Sequence, residues 1–213
     1  MHPLLTSVRE LEQRDAALAA RIDELVVLEN EIAALRADAA SVEASRVALP
    51  AARVATAQEL ERAEHEVVRR TEGLRAAEAE LAQARDDARA DAERALATAE
   101  SSLRTATMRL GRARMEVARL EREAEENEAR AAALTARARE LAQRVGEPVH
   151  EEVEPWGARA RAKVFADRTH AEAERQRVIA EAEELGSIVV GESLAGANVS
   201  VVARRVEAAL SAR

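Results

Sequence analysis

The chain has no cysteine and no tyrosine, and only one tryptophan (Trp156), one phenylalanine (Phe165) and one lysine (Lys163) among 213 residues. Without cysteine there are no disulfides, thiolate metal ligands or cysteine nucleophiles. With aromatics at 1% of the chain, a compact core of ordinary size lacks the rings that supply much of its burial. No apolar run approaches the ~20 residues that span a bilayer. The stretch Met1 to Glu10 lacks a basic region followed by an apolar one, so it does not read as a secretory signal. The expected location is cytoplasmic. The formal net charge of -8 disfavours duplex nucleic acid and anionic membrane, which both need a basic face. No nucleic acid partner is expected, and peripheral membrane contact is left to local patches.

What is abundant is Ala, Glu, Arg and Leu, with charged residues at 34%. That composition with helical periodicity is the mark of long helices and coiled coils. From Ala99 the apolar residues fall at alternating steps of four and three: Leu103, Ala106, Leu110, Ala113, Val117, Leu120, Ala124, Asn127, Ala131, Leu134, Ala138, Leu141 and Val145. The spacing makes a seam along one side of a helix, which another helix must cover. The larger side chains Leu103, Leu110, Val117, Leu120, Leu134 and Leu141, with Asn127, are expected to form an oligomer seam. A buried asparagine at such a position selects register and partner number at some loss of stability.

Upstream, Leu4, Val8, Leu11, Asp15, Leu18, Ile22, Leu25, Leu28, Ile32, Leu35, Ala39, Val42, Arg46 and Leu49 continue the pattern, with two steps of three at Ile22, Leu25 and Leu28. Such a stammer overwinds a supercoil locally. Pro50 is the only proline between Pro3 and Pro148. Proline disfavours helix at the residue before it and suits the first turn of a new one, so a turn is expected at 47–51. Helices at about 4–48 and 51–145 would then be antiparallel neighbours. The span 51–145 has no proline; a turn at 98–102 or in the polar stretch Arg85–Arg94 would divide it, the former giving an elongated three-helix bundle. The fold class expected is all-α, a long antiparallel coiled-coil hairpin or that bundle, over residues 1–146.

Gly146-Glu147-Pro148 reads as a helix stop. Residues 147–157 read as an acidic linker, and 158–213 as a small helical C-terminal module. Its first helix carries a weak seam, Ala160, Val164, Asp167, Ala171, Glu174, Val178, Ala182 and Leu185, and should end at Gly186, with Ser187 to Gly191 a strand or an apolar plug. Its last helix, 199–211, would be capped by Asn198 or Ser200. Val199, Val202, Val206 and Leu210 make its stripe, and with Trp156 they are the expected contacts for an unidentified protein partner.

Chemistry is hard to find. Gly186 to Gly191 has the glycine spacing of a phosphate-binding loop, but Glu192 stands where the lysine belongs. His2, His65, His150 and His170 form no i, i+4 pair. His150 with Glu151 and Glu152 reads as a solvated linker. Arg159, Arg161, Lys163 and Arg168 form a basic patch suited to an acidic partner or lipid headgroups. No catalytic set, cofactor or metal site is expected. The implied function is that of a non-enzymatic scaffold or tether, self-associating and binding a partner through its C-terminal module. The alternative is a stalk or accessory hairpin subunit of an ATP-driven or membrane-associated machine.

Overall fold

The computed structural model describes residues 3–150 and 152–212. Among them there are helices and no strands: α1 (Pro3–Gln83), α2 (Arg89–Val145), α3 (Val153–Val190) and α4 (Val199–Ser211). Contacts divide the chain into two compact units, Met1–Ala40 with Leu134–Arg213, and Ser41–Ala133.

In the unit Ser41–Ala133, α1 does not turn at Pro50. The expected turn at 47–51 is replaced by continuous helix, and the chain reverses instead at residues 84–88. An internal proline costs about 3 kcal/mol, because it removes one backbone hydrogen bond and crowds the carbonyl four residues back. Two features offset that cost. Pro50 lies on the exposed side of α1, so water reaches the carbonyl of Arg46 that loses its donor. Leu49 and Thr56 on either side are each 8% exposed, and a break between them would take both out of register. Burying one leucine is worth roughly 1.5–3 kcal/mol, which is enough to carry the helix across.

The reversal uses Ala84-Arg85-Asp86-Asp87-Ala88, closed by Ala88 N donating to Arg85 O at 2.9 Å. Asp suits turns because its carboxylate competes for nearby backbone donors. The alternative turn at 98–102 is not made; those residues are helical. Contacts between α1 and α2 fit an antiparallel hairpin. Glu64 pairs with Arg114 at 3.3 Å and Glu66 with Arg109 at 3.4 Å, so numbers fall on one helix as they rise on the other.

In the unit Met1–Ala40 with Leu134–Arg213, three helices meet in one core. Leu25, Leu28, Ile32 and Leu35 of α1 pack with Ala138, Leu141, Ala142 and Val145 of α2 and with Trp156, Ala160 and Val164 of α3. Both leucines of the stammer, Leu25 and Leu28, are buried there. Gly146 ends α2 with φ of +67°, a left-handed turn that favours glycine. Its carbonyl is met by Lys163 Nζ at 2.8 Å.

The expected acidic linker 147–157 is shorter than read, since α3 starts at Val153. Pro155 falls in its first turn, where a missing N–H costs little. Gly186 does not end α3 either; the helix runs to Val190, so Ser187 to Val190 is neither strand nor plug. The reason is close packing: a Cβ at Gly186 would strike Val202 Cγ1 and lie 2.9 Å from Leu194 Cδ1. The glycine lets α4 approach α3. Asn198 caps α4 as expected, accepting from Ser200 N at 3.1 Å.

Candidate functional site

The residues expected to engage a partner are spent inside the chain. Trp156 is 0% exposed, and its Nε1 donates to Glu147 O at 2.9 Å. Val199, Val202 and Val206 are each 0% exposed. Val202 and Val206, with half-buried Leu210 beside them, pack on Val8 and Val189, while Val199 packs on Leu11, Val178 and Ala182. The three valines pack α4 on α3 and on the start of α1. The module 158–213 is not separate, because its core includes α1.

The expected oligomer seam also lies along an intrachain face. Leu120, Asn127 and Leu141 are buried, and Leu103, Leu110, Val117 and Leu134 are half-buried. Leu134 and Leu141 pack with α1 in the first core. In the hairpin unit Ala113 lines one open groove with Ala63, and Ala99 another with Ala77. The helix that covers the seam is the chain's own α1. Asn127 sits in that seam at 5% exposure, with Nδ2 lacking any hydrogen-bond partner.

The basic patch is partly satisfied internally. Arg161 and Arg168 both reach Glu29, at 3.4 and 3.1 Å. Arg159 lies 3.6 Å from Glu147, and Lys163 holds the end of α2. Arg168 also stacks over Phe165, 5.2 Å from the ring centre. Lys163 meets a neutral carbonyl and two arginines share Glu29, so the patch keeps part of its positive charge. His65, His150 and His170 are exposed, while His2 and Glu151 lie outside the described residues. Among the described residues no group of three His, Cys, Asp or Glu is placed to hold a metal ion.

Sequence reasoning missed the polar half of the α1–α3 contact. It assigned Asp167 and Glu174 to the α3 seam. Asp167 is exposed, and Arg168 and Arg175, one residue further on, sit at the contact. A cation can occupy a seam only where the facing helix offers an anion. Here α1 offers Glu29 to Arg168 and Asp15 to Arg175 Nε, the latter at 2.7 Å. That hydrogen bond holds the Arg175 guanidinium above its ordinary value. Beside it, Arg14 pairs with Glu174 and holds that carboxyl below the usual carboxylate range. The available signal was Asp15 itself, an acid at a seam position seeking a partner.

Most of the large apolar side chains left outward are on the two long helices. Val47, Val54 and Val68 lie on α1 at steps of seven and fourteen, 72%, 59% and 55% exposed. Met108 and Met115 lie on α2 at a step of seven, 55% and 74% exposed. In the other unit Phe165 and Ile188 are 50% and 68% exposed. Comparison with protein-family models, with curated proteins and with solved structures finds no match. No helix is long and apolar enough to cross a membrane among the described residues.

Proposed function

We propose that the chain is a non-enzymatic structural protein of the cytoplasm, a scaffold or tether built on an antiparallel coiled-coil hairpin. One observation carries the reading: α2 buries a heptad-spaced seam along Ala106, Leu120, Asn127 and Leu141, which puts its burial along a line and not around a cavity. The cross-helix pairs Glu64–Arg114 and Glu66–Arg109 support the coiled coil, since antiparallel helices bring like flanking positions together at the seam's edge. The titratable groups with displaced values, Glu116, Arg119, Glu174 and Arg175, owe the displacement first to ion-pair hydrogen bonds. The Glu174 and Arg175 pairs join α3 to α1, and the Glu116–Arg119 pair lies within α2.

In this reading the chain self-associates, and a protein partner docks on the outside of the C-terminal helices, where Phe165 and Ile188 are exposed. Sedimentation equilibrium of the pure chain over a concentration series tests it. Mass should rise with concentration toward a defined oligomer. A single-chain mass throughout would end the self-association part. The second reading, a stalk or accessory hairpin of a larger machine, draws on the hairpin unit Ser41–Ala133 with its charged reversal at Arg85, Asp86 and Asp87.

A further inference from the structure

The face of α2 turned away from its seam carries a second pattern. Arg104, Met108, Gly111, Met115, Ala118 and Glu125 are all exposed. From Arg104 to Ala118 they follow steps of four, three, four and three, and seven more residues lead to Glu125. This is the same heptad spacing as the covered seam, repeated on the outside of the helix. At its centre are two exposed methionines, 55% and 74% accessible, flanking a glycine whose Cβ position has nothing within 4 Å. Methionine is an adaptable contact residue at binding surfaces. Glycine within a helix costs about 1 kcal/mol relative to alanine, and nothing in the chain itself needs it at Gly111.

Charge is ordered along the same stretch. Residues 101–115 hold four arginines and no acid, and residues 116–128 hold six glutamates and two arginines. Along α2 itself the blocks carry net charges of +4 and -4, from the counts just given, with Arg109 and Arg114 already paired to Glu66 and Glu64 of α1. Among the described residues, Arg104, Arg112, Glu121, Glu125, Glu126 and Glu128 form no ion pair within the chain. Rotated end for end about a point just before Met115, the stripe maps onto itself except at Met108, which falls opposite Arg122. Gly111 falls opposite Ala118, Arg104 opposite Glu125, and the two Met115 side chains meet. An anionic surface such as nucleic acid or membrane matches only the first block and is repelled by the second. A second copy of this chain matches both.

We infer that this outer face of α2 is the docking surface for a second copy, with the two α2 helices antiparallel and crossing near Met115. The inference rests on the reading of the chain as self-associating and names the surface that does it. The contact is isologous, so each basic block meets the partner's acidic block. Gly111 and Ala118 allow the close approach, and the methionines fill the space beside them.

The experiment combines mass and distance, and the absence of cysteine makes single thiols clean labels. Sedimentation equilibrium is run on the full chain and on Met115→Glu, each checked for helix content. Spin-label distances are measured on Ser101→Cys and Arg119→Cys separately, both exposed and outside the stripe. Two copies crossing before Met115 place their 119 positions about 14 Å apart along the axis and their 101 positions about 40 Å apart, at 1.5 Å per residue. The expected result is a dimer with that short and long pair, weakened by salt, and weakened at least about tenfold by Met115→Glu because two carboxylates are forced together. A dimer that ignores Met115→Glu, or that gives equal separations at both labels, overturns this surface and leaves self-association standing. A monomer at every concentration overturns both.

Discussion

Asn127→Leu is the substitution whose effect follows most directly from the structure. Asn127 is 5% exposed and its Nδ2 has no partner. A buried donor left unmade costs about 1–3 kcal/mol. Leucine removes that cost and adds apolar surface at a level of the hairpin where the facing helix buries Leu49. The helical propensity of leucine is also the better of the two. Taken together, the variant should be more stable by about 1–3 kcal/mol. For a chain of this size each kcal/mol moves the melting temperature by roughly 2–4 °C. Thermal melts followed by circular dichroism read this directly, and sedimentation of the same samples reads oligomer number. The polar residue faces the chain's own α1, where it fixes register at the cost of stability, so the leucine variant should keep the oligomer number of the native chain. A lower melting temperature would refute the reasoning, because it would mean that Asn127 makes a hydrogen bond worth more than its burial costs.

Gly186→Ala should lower stability by about 1–2 kcal/mol net, overpacking against Val202 and Leu194 outweighing the gain in helix propensity. Gly73→Ala, where nothing lies within 4 Å, should instead raise it by about 1 kcal/mol; denaturant titrations compare the two. Trp156→Ala should cost about 3–5 kcal/mol, and Trp156→Phe less, chiefly the hydrogen bond to Glu147 O. The same titrations read this, and an unchanged midpoint for the alanine variant would place Trp156 outside the core. Glu174 is held below its ordinary value first by its hydrogen bond with Arg14. Its contribution is therefore complete above the unfolded carboxylate value of about 4.3 and is lost as pH falls through the lower folded value. Melts of the native chain and Glu174→Gln should differ at neutral pH and converge in acid; a gap that widens in acid would reverse the sign.

Much of the burial could be read from spacing alone. The positions from Val8 to Leu49 and from Ala106 to Val145 that sequence assigned to seams are buried or half-buried apart from exposed Arg46, because a helix of 3.6 residues per turn leaves few ways to align them. The place of reversal was legible only as an alternative, the polar stretch Arg85–Arg94, with the first expectation at Pro50; the chain reverses at 84–88. Pro50 is a strong local signal, but local propensity yields when register over many turns is at stake. Asp86-Asp87, where the chain does turn, is a weak signal that gains force only once the seams on either side are known to match. Trp156 and Gly186 show the same limit. Their local context suggested a surface anchor and a helix end, yet a neighbouring helix that periodicity cannot locate buries the one and requires the other. The α1–α3 ion pairs needed both sides at once, since Arg168 and Arg175 make sense in a seam only opposite Glu29 and Asp15.

The measurement that tests the account most directly asks which α1 covers the seam of α2. Ala63 and Ala113 line the same groove between the two helices, and the chain has no other thiol once both are changed to cysteine. Mild oxidation of Ala63→Cys/Ala113→Cys in dilute solution should close a disulfide within one chain, seen as a faster-migrating band of single-chain mass. A band of twice the mass, with no internal product, would mean that the seam is covered by another molecule and that the chain does not fold back at residues 84–88.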